Sequence, residues 1–157
     1  MLQMRFRIAR QSPLTPELAV VMARHTGDMH ADTPPESIHM MDARQLAIPE
    51  VSFYVLRDET EVIGMGAFKK LDPDHAEIKS MHVLAEYRGQ GLSRVMLDHL
   101  MAEAAQAGFR RLSLETGSQP MFEPARRLYS RAGFDYCEPF GDYLLDPNSV
   151  FMTRTLA

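Results

Sequence analysis

Apolar and polar residues alternate from the start of the chain. In QMRFRIAR, residues 3–10, Met4, Phe6 and Ile8 fall on one side and Arg5 and Arg7 on the other, the period of a strand. Thr15 then reads as an N-cap with Pro16 at the first helical position. Leu18, Val21, Met22 and His25 continue this helix as a stripe predicted to end near Gly27. Asp28 to Glu36 is polar, contains Pro34-Pro35 and reads as a loop, and a short second helix is predicted over Ser37 to Ala47. Strands are predicted over Val51–Arg57 and Glu61–Lys70, joined by the turn Asp58-Glu59-Thr60. A second turn, Leu71-Asp72-Pro73-Asp74, leads into a strand from Ala76 to Leu84. The period then changes. Leu92, Val95, Met96, Leu100 and Ala104 recur with helical spacing up to Gly108. A strand from Arg111 to Glu115, a loop from Gly117 to Pro120 and a helix with the stripe Ala125, Leu128, Tyr129 and Ala132, capped by Gly133, come next. Phe134–Cys137 and Val150–Leu156 read as closing strands, separated by the loop EPFGDYLLDPNS. The predicted order βααβββαβαββ is a mixed α/β pattern, with strand–helix–strand units only in its second half.

Composition narrows the function classes. The 157 residues fit one domain, expected to span 1–157. A net charge of −4 argues against a general nucleic-acid binder. No apolar run approaches the roughly 18 residues of a membrane span, and the start of the chain lacks the apolar stretch of a signal peptide. Cys137 stands alone, which excludes an internal disulfide and fits a reducing, cytoplasmic setting. The six histidines form no HExxH and there is no CxxC, so no metal is expected. Charge is uneven. From Lys79 to Arg131, eight basic residues face five acidic ones, a surplus of three positive charges that leaves −7 for the remainder. A basic segment in an acidic chain fits either an anionic ligand or simply solvated helix faces.

The stretch EYRGQGLSRVML, residues 86–97, places two glycines where a helix begins. It is not a GxGxxG fingerprint, because Arg94 occupies the third glycine position, and no GxxxxGK[ST] is present. What remains is a strand, a short glycine loop and a helix N-terminus, where unpaired N–H groups and the helix dipole favour phosphate. Arg88 and Arg94 flank the loop. A tight turn without a ligand is the alternative.

Arg88-Gly89-Gln90-Gly91-Leu92-Ser93 resembles the (Q/R)xxGx(G/A) motif of the GNAT acyltransferase superfamily, with Ser93 in place of the usual glycine or alanine. AEIKSMHV resembles that family's fourth strand, and ARRLYSRAGF its last helix. LETGSQPMFEPARRLYSRAGF and PFGDYLLDPNSVFMT resemble a subgroup of small bacterial members. The resemblance implies the GNAT fold, a central twisted mixed sheet of six or seven strands with about four helices. It implies acetyl-coenzyme A as cosubstrate, with its pyrophosphate on residues 88–94 and its pantetheine arm along Met81, His82 and Val83. It implies acetyl transfer to a primary amine of a small molecule by direct attack. It is also compatible with a homodimer. A non-catalytic acetyl-coenzyme A-binding module that regulates a partner is the alternative.

Attack on a thioester by an amine needs a base, a donor for the oxyanion and a proton for the departing thiolate. The motif match assigns the last role to Tyr129; its other reading is a core aromatic. Two carboxylates compete as base. AEIxxxxV places Glu77 where the histone-acetylating branch carries a strand glutamate, and Glu77 and Lys79 share a face with Met81 and Val83 if the pleat is regular. Glu115 lies in an apolar strand, where a carboxylate needs a partner or a function. Glu77 ranks slightly first. Cys137 offers a double-displacement route, but packing is its simpler role. His39, Lys79, Thr116, Gly117 and Tyr143 are candidates for the acceptor site, a mixed set compatible with an amino-acid-like amine.

Overall fold

A computed structural model of the protein describes residues 5–156, so Gln3 and Met4 of the first predicted strand lie outside the described residues. In chain order the elements are β1 (Phe6–Arg10), α1 (Ala19–Asp32), α2 (Ala43–Leu46), β2 (Val51–Asp58), β3 (Glu61–Asp72) and β4 (His75–Val83). They continue with α3 (Leu92–Gln106), β5 (Arg111–Gly117), α4 (Glu123–Arg131), β6 (Asp135–Cys137) and β7 (Ser149–Thr155). This is the predicted order βααβββαβαββ, a mixed α/β fold with seven strands and four helices among the described residues. The strands form one sheet in the order β1-β2-β3-β4-β5-β7-β6, antiparallel throughout except for β4 beside β5.

Two element boundaries depart from the sequence reading. The first helix begins as a 3₁₀ turn at Pro16–Leu18 and runs past Gly27 to Asp32. A side chain on Gly27 would meet nothing within 4 Å, so this glycine lies on an open helix face and is no cap. The second helix is only four residues long, fixed by a capping box in which Asp42 and Gln45 bond each other's backbone amides.

The two faces of the sheet have different tasks. α3 packs on the face that carries Gly66, Phe68 and Ile78. Met96, Leu97 and Leu100 of α3 are fully buried there, each contributing about 1.5–3 kcal/mol of hydrophobic stabilisation. A Cβ on Gly66 would lie 2.9 Å from Met96, so the glycine sets how closely helix and sheet approach. The end of α4 joins this face, because the Arg154 guanidinium reaches both the Ala132 carbonyl and the Met101 sulfur of α3. The opposite face, which carries Glu77, Lys79, Ser113 and Glu115, is covered by α1, by residues 33–42 and by the 138–148 loop.

Candidate active site

The glycine loop ends in an uncapped helix N-terminus. Gly89 and Gly91 have φ of 84° and 78°, a conformation that a side chain disfavours. Gly91 is the residue before α3, and no side chain bonds its first turn. The first intrahelical bond of α3 runs from the Val95 amide to the Gly91 carbonyl, leaving the amides of Leu92, Ser93 and Arg94 ahead of it. A Cβ on either glycine would meet nothing within 4 Å. The backbone is therefore open to an approaching group at both positions, and the donor set suits a pyrophosphate. The flanking arginines are held by acids of this chain. Arg94 bonds Asp98 at 2.8 Å, and Arg88 bonds Asp28 at 3.2 Å and the Val83 carbonyl at 3.1 Å.

Asp28 belongs to a second set of contacts between α1 and the end of β4. The Nδ1 atoms of His25 and His82 are 3.4 Å apart, and the Asp28 carboxylate lies 3.9 Å from His82. Burial holds the His25 imidazole down at about 4 and also lowers His82, so both rings are neutral at pH 7. The His82 Nε2 is buried and has no hydrogen-bond partner among the described residues.

The sheet opens between its two parallel strands. β4 and β5 pair only at His75–Arg111, Ala76–Leu112 and Glu77–Ser113, although both strands run on. Glu77 thus stands where the opening begins, with Lys79 on one arm and Glu115 on the other. A bulge widens it. Met65 faces His82 and Ala67 faces Lys79, so Ser80 and Met81 together oppose Gly66. Ser80 takes φ 56° to fit the extra residue. The bulge reverses the alternation, so the predicted common face of Glu77, Lys79, Met81 and Val83 ends at Lys79. His82 continues that face, and Val83, paired with Gly64, lies on the other.

At the apex sits a buried ion pair. The Lys79 ammonium is 3.2 Å from the Glu77 carboxylate, with side chains 12% and 5% exposed. Lys79 also donates to the His39 carbonyl at 3.1 Å and to the Tyr143 hydroxyl at 2.8 Å. Tyr143 in turn donates to Glu77 at 2.5 Å. Burial and the Glu77 charge raise the Tyr143 hydroxyl pKa, which keeps it a donor. The loop carrying Tyr143 is anchored at its far end, where Ser37 donates to Asp146 at 2.5 Å and Ser118 donates to the Pro147 carbonyl at 2.6 Å. Asp146-Pro147-Asn148 is a turn closed by the Asn148 amide on the Asp146 carboxylate.

Glu115 is half-buried and Tyr129 is buried. Burial pushes the Glu115 carboxyl up to about 7, opposed by a Ser149 hydrogen bond and the Lys79 charge. That bond is long or poorly aligned, because the Ser149 hydroxyl has no partner within normal geometry. The Tyr129 hydroxyl is pushed up to about 12 by burial and by the Glu115 charge. Near neutral pH one group accepts a proton readily and the other keeps its own.

The remaining candidates fall into two sets. Tyr143 and Lys79 join Glu77 directly, and the His39 carbonyl joins it through Lys79. Thr116 pairs with Val150 and alternates to the face opposite Glu115. Gly117 is closed off, since a Cβ there would lie 2.2 Å from Phe122 and its carbonyl accepts from Arg126 at 2.7 Å. Cys137 is on the short edge strand β6, where burial raises its thiol pKa. The sequence reading missed Phe140 and Phe151, whose rings pack at 5.9 Å beside Tyr143. Phe151 pairs with Glu115 across β5 and β7, a juxtaposition that alternation along both strands carries only once their register is known.

Comparison with known proteins agrees with this architecture. The model of the acetyltransferase (GNAT) family matches residues 22–134. The chain is 46% identical over 140 residues to the uncharacterized N-acetyltransferase YsnE of Bacillus subtilis (strain 168), covering 89% of this chain and 93% of that one. It is 37% identical over 154 residues to the IAA acetyltransferase of Azospirillum brasilense, covering 95% and 97%. A GNAT family acetyltransferase from Elizabethkingia anophelis, solved with acetyl-CoA bound, superposes with a TM-score of 0.70 at 18% identity, covering 98% of this chain and all of that one.

Proposed function

The chain belongs to the GNAT acetyltransferase family, and from that premise we propose that it moves the acetyl group of acetyl-CoA to a primary amine of a small molecule by direct attack in a ternary complex. The observation that carries this reading is the opening between β4 and β5, with Glu115 on its β5 arm and the uncapped start of α3 at the same end of the sheet. Glu115 is half-buried there, and the buried Tyr129 hydroxyl feels its charge.

In this reading the amides of Gly89, Gly91, Leu92 and Ser93 hold the pyrophosphate, with Gln90, Arg88 and Arg94 around it. The bulged stretch from Met81 to Val83 offers backbone groups to the pantetheine arm. An ordinary alkylamine has a pKa of about 10.4 and must lose a proton before attack. Glu115, at about 7, takes that proton, directly or through one water. Tyr129 keeps its proton across the working range and donates it toward the thiolate as the bond to sulfur breaks. Glu77 is the weaker base candidate, because its carboxylate is already engaged by Lys79 and Tyr143. Its role is to fix Tyr143 and the loop over the acceptor cleft.

The test is thiol release from acetyl-CoA with a panel of primary amines, with the N-acetyl product identified by mass spectrometry. Thiol release that requires the amine supports transfer. Tight acetyl-CoA binding without turnover of any amine would favour a binding module instead.

A further inference from the structure

Building on the cleft assigned above, we propose that the acceptor is an aromatic primary amine with no carboxylate beside the amine. Two independent features of the acceptor face support this.

The first is charge. Glu77, Glu115 and Asp146 face this region, and Lys79 is the cation among them. The Lys79 ammonium donates to Tyr143 and to the His39 carbonyl and pairs its charge with Glu77 at 3.2 Å, so its contacts are already taken. An α-carboxylate on the acceptor would have to displace one of these partners while sitting beside carboxylates. An uncharged substituent meets no such conflict. The acidic surroundings instead attract the cationic amine before it is deprotonated.

The second is shape. Tyr143 and Phe151 pack with centroids 5.4 Å apart, Phe140 and Tyr143 5.2 Å apart, and the His39 ring meets Tyr143 edge-on at 4.9 Å. Phe151 stands in register with Glu115, so this aromatic wall begins beside the proposed base. Phe140 and Tyr143 are only half-buried and offer ring surface for stacking. Leu144 and Leu145, 83% and 79% exposed, carry the apolar surface outward at the rim of the same loop.

Matched amines test the inference. Phenethylamine, phenylalanine and n-butylamine differ by one carboxylate or one ring, and kcat/KM is read for each by thiol release at saturating acetyl-CoA. Phenethylamine is expected to exceed both others by about tenfold or more. Phe140→Leu, which keeps much of the volume and removes the ring, should cut the preference for phenethylamine over butylamine to about threefold or less, with folding checked by thermal melting. Equal or better turnover of phenylalanine overturns the absence of a carboxylate receptor while leaving acetyl transfer intact. Equal turnover of butylamine, or an unchanged preference in Phe140→Leu, overturns the aromatic wall. Failure of all three amines overturns the transfer reading together with this one.

Discussion

Replacing Glu115 by glutamine separates the two carboxylates. Glutamine keeps the shape of the side chain and cannot take a proton. With the carboxyl at about 7, the wild-type base is about nine-tenths ionised at pH 8 and about one-tenth at pH 6, so kcat should fall about tenfold between them. In Glu115→Gln that acidic limb should flatten, and kcat at pH 8 should drop by about a hundred- to ten-thousandfold, the usual worth of a general base. The assay is thiol release across pH 5.5 to 9 in constant-ionic-strength buffers, with acetyl-CoA saturating so that kcat is isolated. Glu77→Gln should instead raise the acceptor KM, because it frees Tyr143, and should keep the pH limb. The assignment fails if Glu77→Gln removes the limb and Glu115→Gln retains it. If neither variant changes the profile, water takes the proton and the enzyme works mainly by positioning.

Other perturbations bear on separate parts of the site. Tyr129→Phe removes only the hydroxyl and should lower kcat by about ten- to a thousandfold with acetyl-CoA affinity nearly kept, checked by isothermal titration. Gly91→Val forces a branched side chain to φ 78°, a strain of about 1–3 kcal/mol, and places it on the open side of the loop. Acetyl-CoA affinity should fall by about tenfold or more in a protein that still folds. Glu115 also sets a sign for stability. Its folded value of about 7 lies above the ordinary 4.5 of a free glutamate, so its contribution is complete below pH 4.5 and is lost as pH rises through 7. At pH 8 Glu115→Gln should therefore be more stable than wild type by up to about 3 kcal/mol in denaturant titrations, and no gain there would count against a raised Glu115 pKa.

The element order was legible because each strand and helix carries its own period. The glycine loop was legible because positive φ at a helix start is written locally as glycine. Gly27 misled because a glycine inside an exposed helix face reads the same as one that ends a helix. The bulge at Ser80 left no local mark, since serine adopts the left-handed conformation there only because Gly66 and β3 fix the register. The ion pair at the apex needed contacts across 66 residues between Tyr143 and Glu77. Nothing in the sequence around Lys79 distinguishes a buried ammonium with three partners from a solvated one. The rank we propose, Glu115 ahead of Glu77 as base, follows from that contact.

Transfer itself is read most directly by following an isotope-labelled acetyl group. The protein is mixed with acetyl-labelled acetyl-CoA and phenethylamine, and the label is followed by NMR and by mass spectrometry of the protein. The account predicts that label moves from the thioester to the amide of the amine, one thiol appearing per amide, with none on the protein at any time. Label held on Cys137, or label that stays on the coenzyme while it binds, would contradict direct transfer in the cleft between β4 and β5.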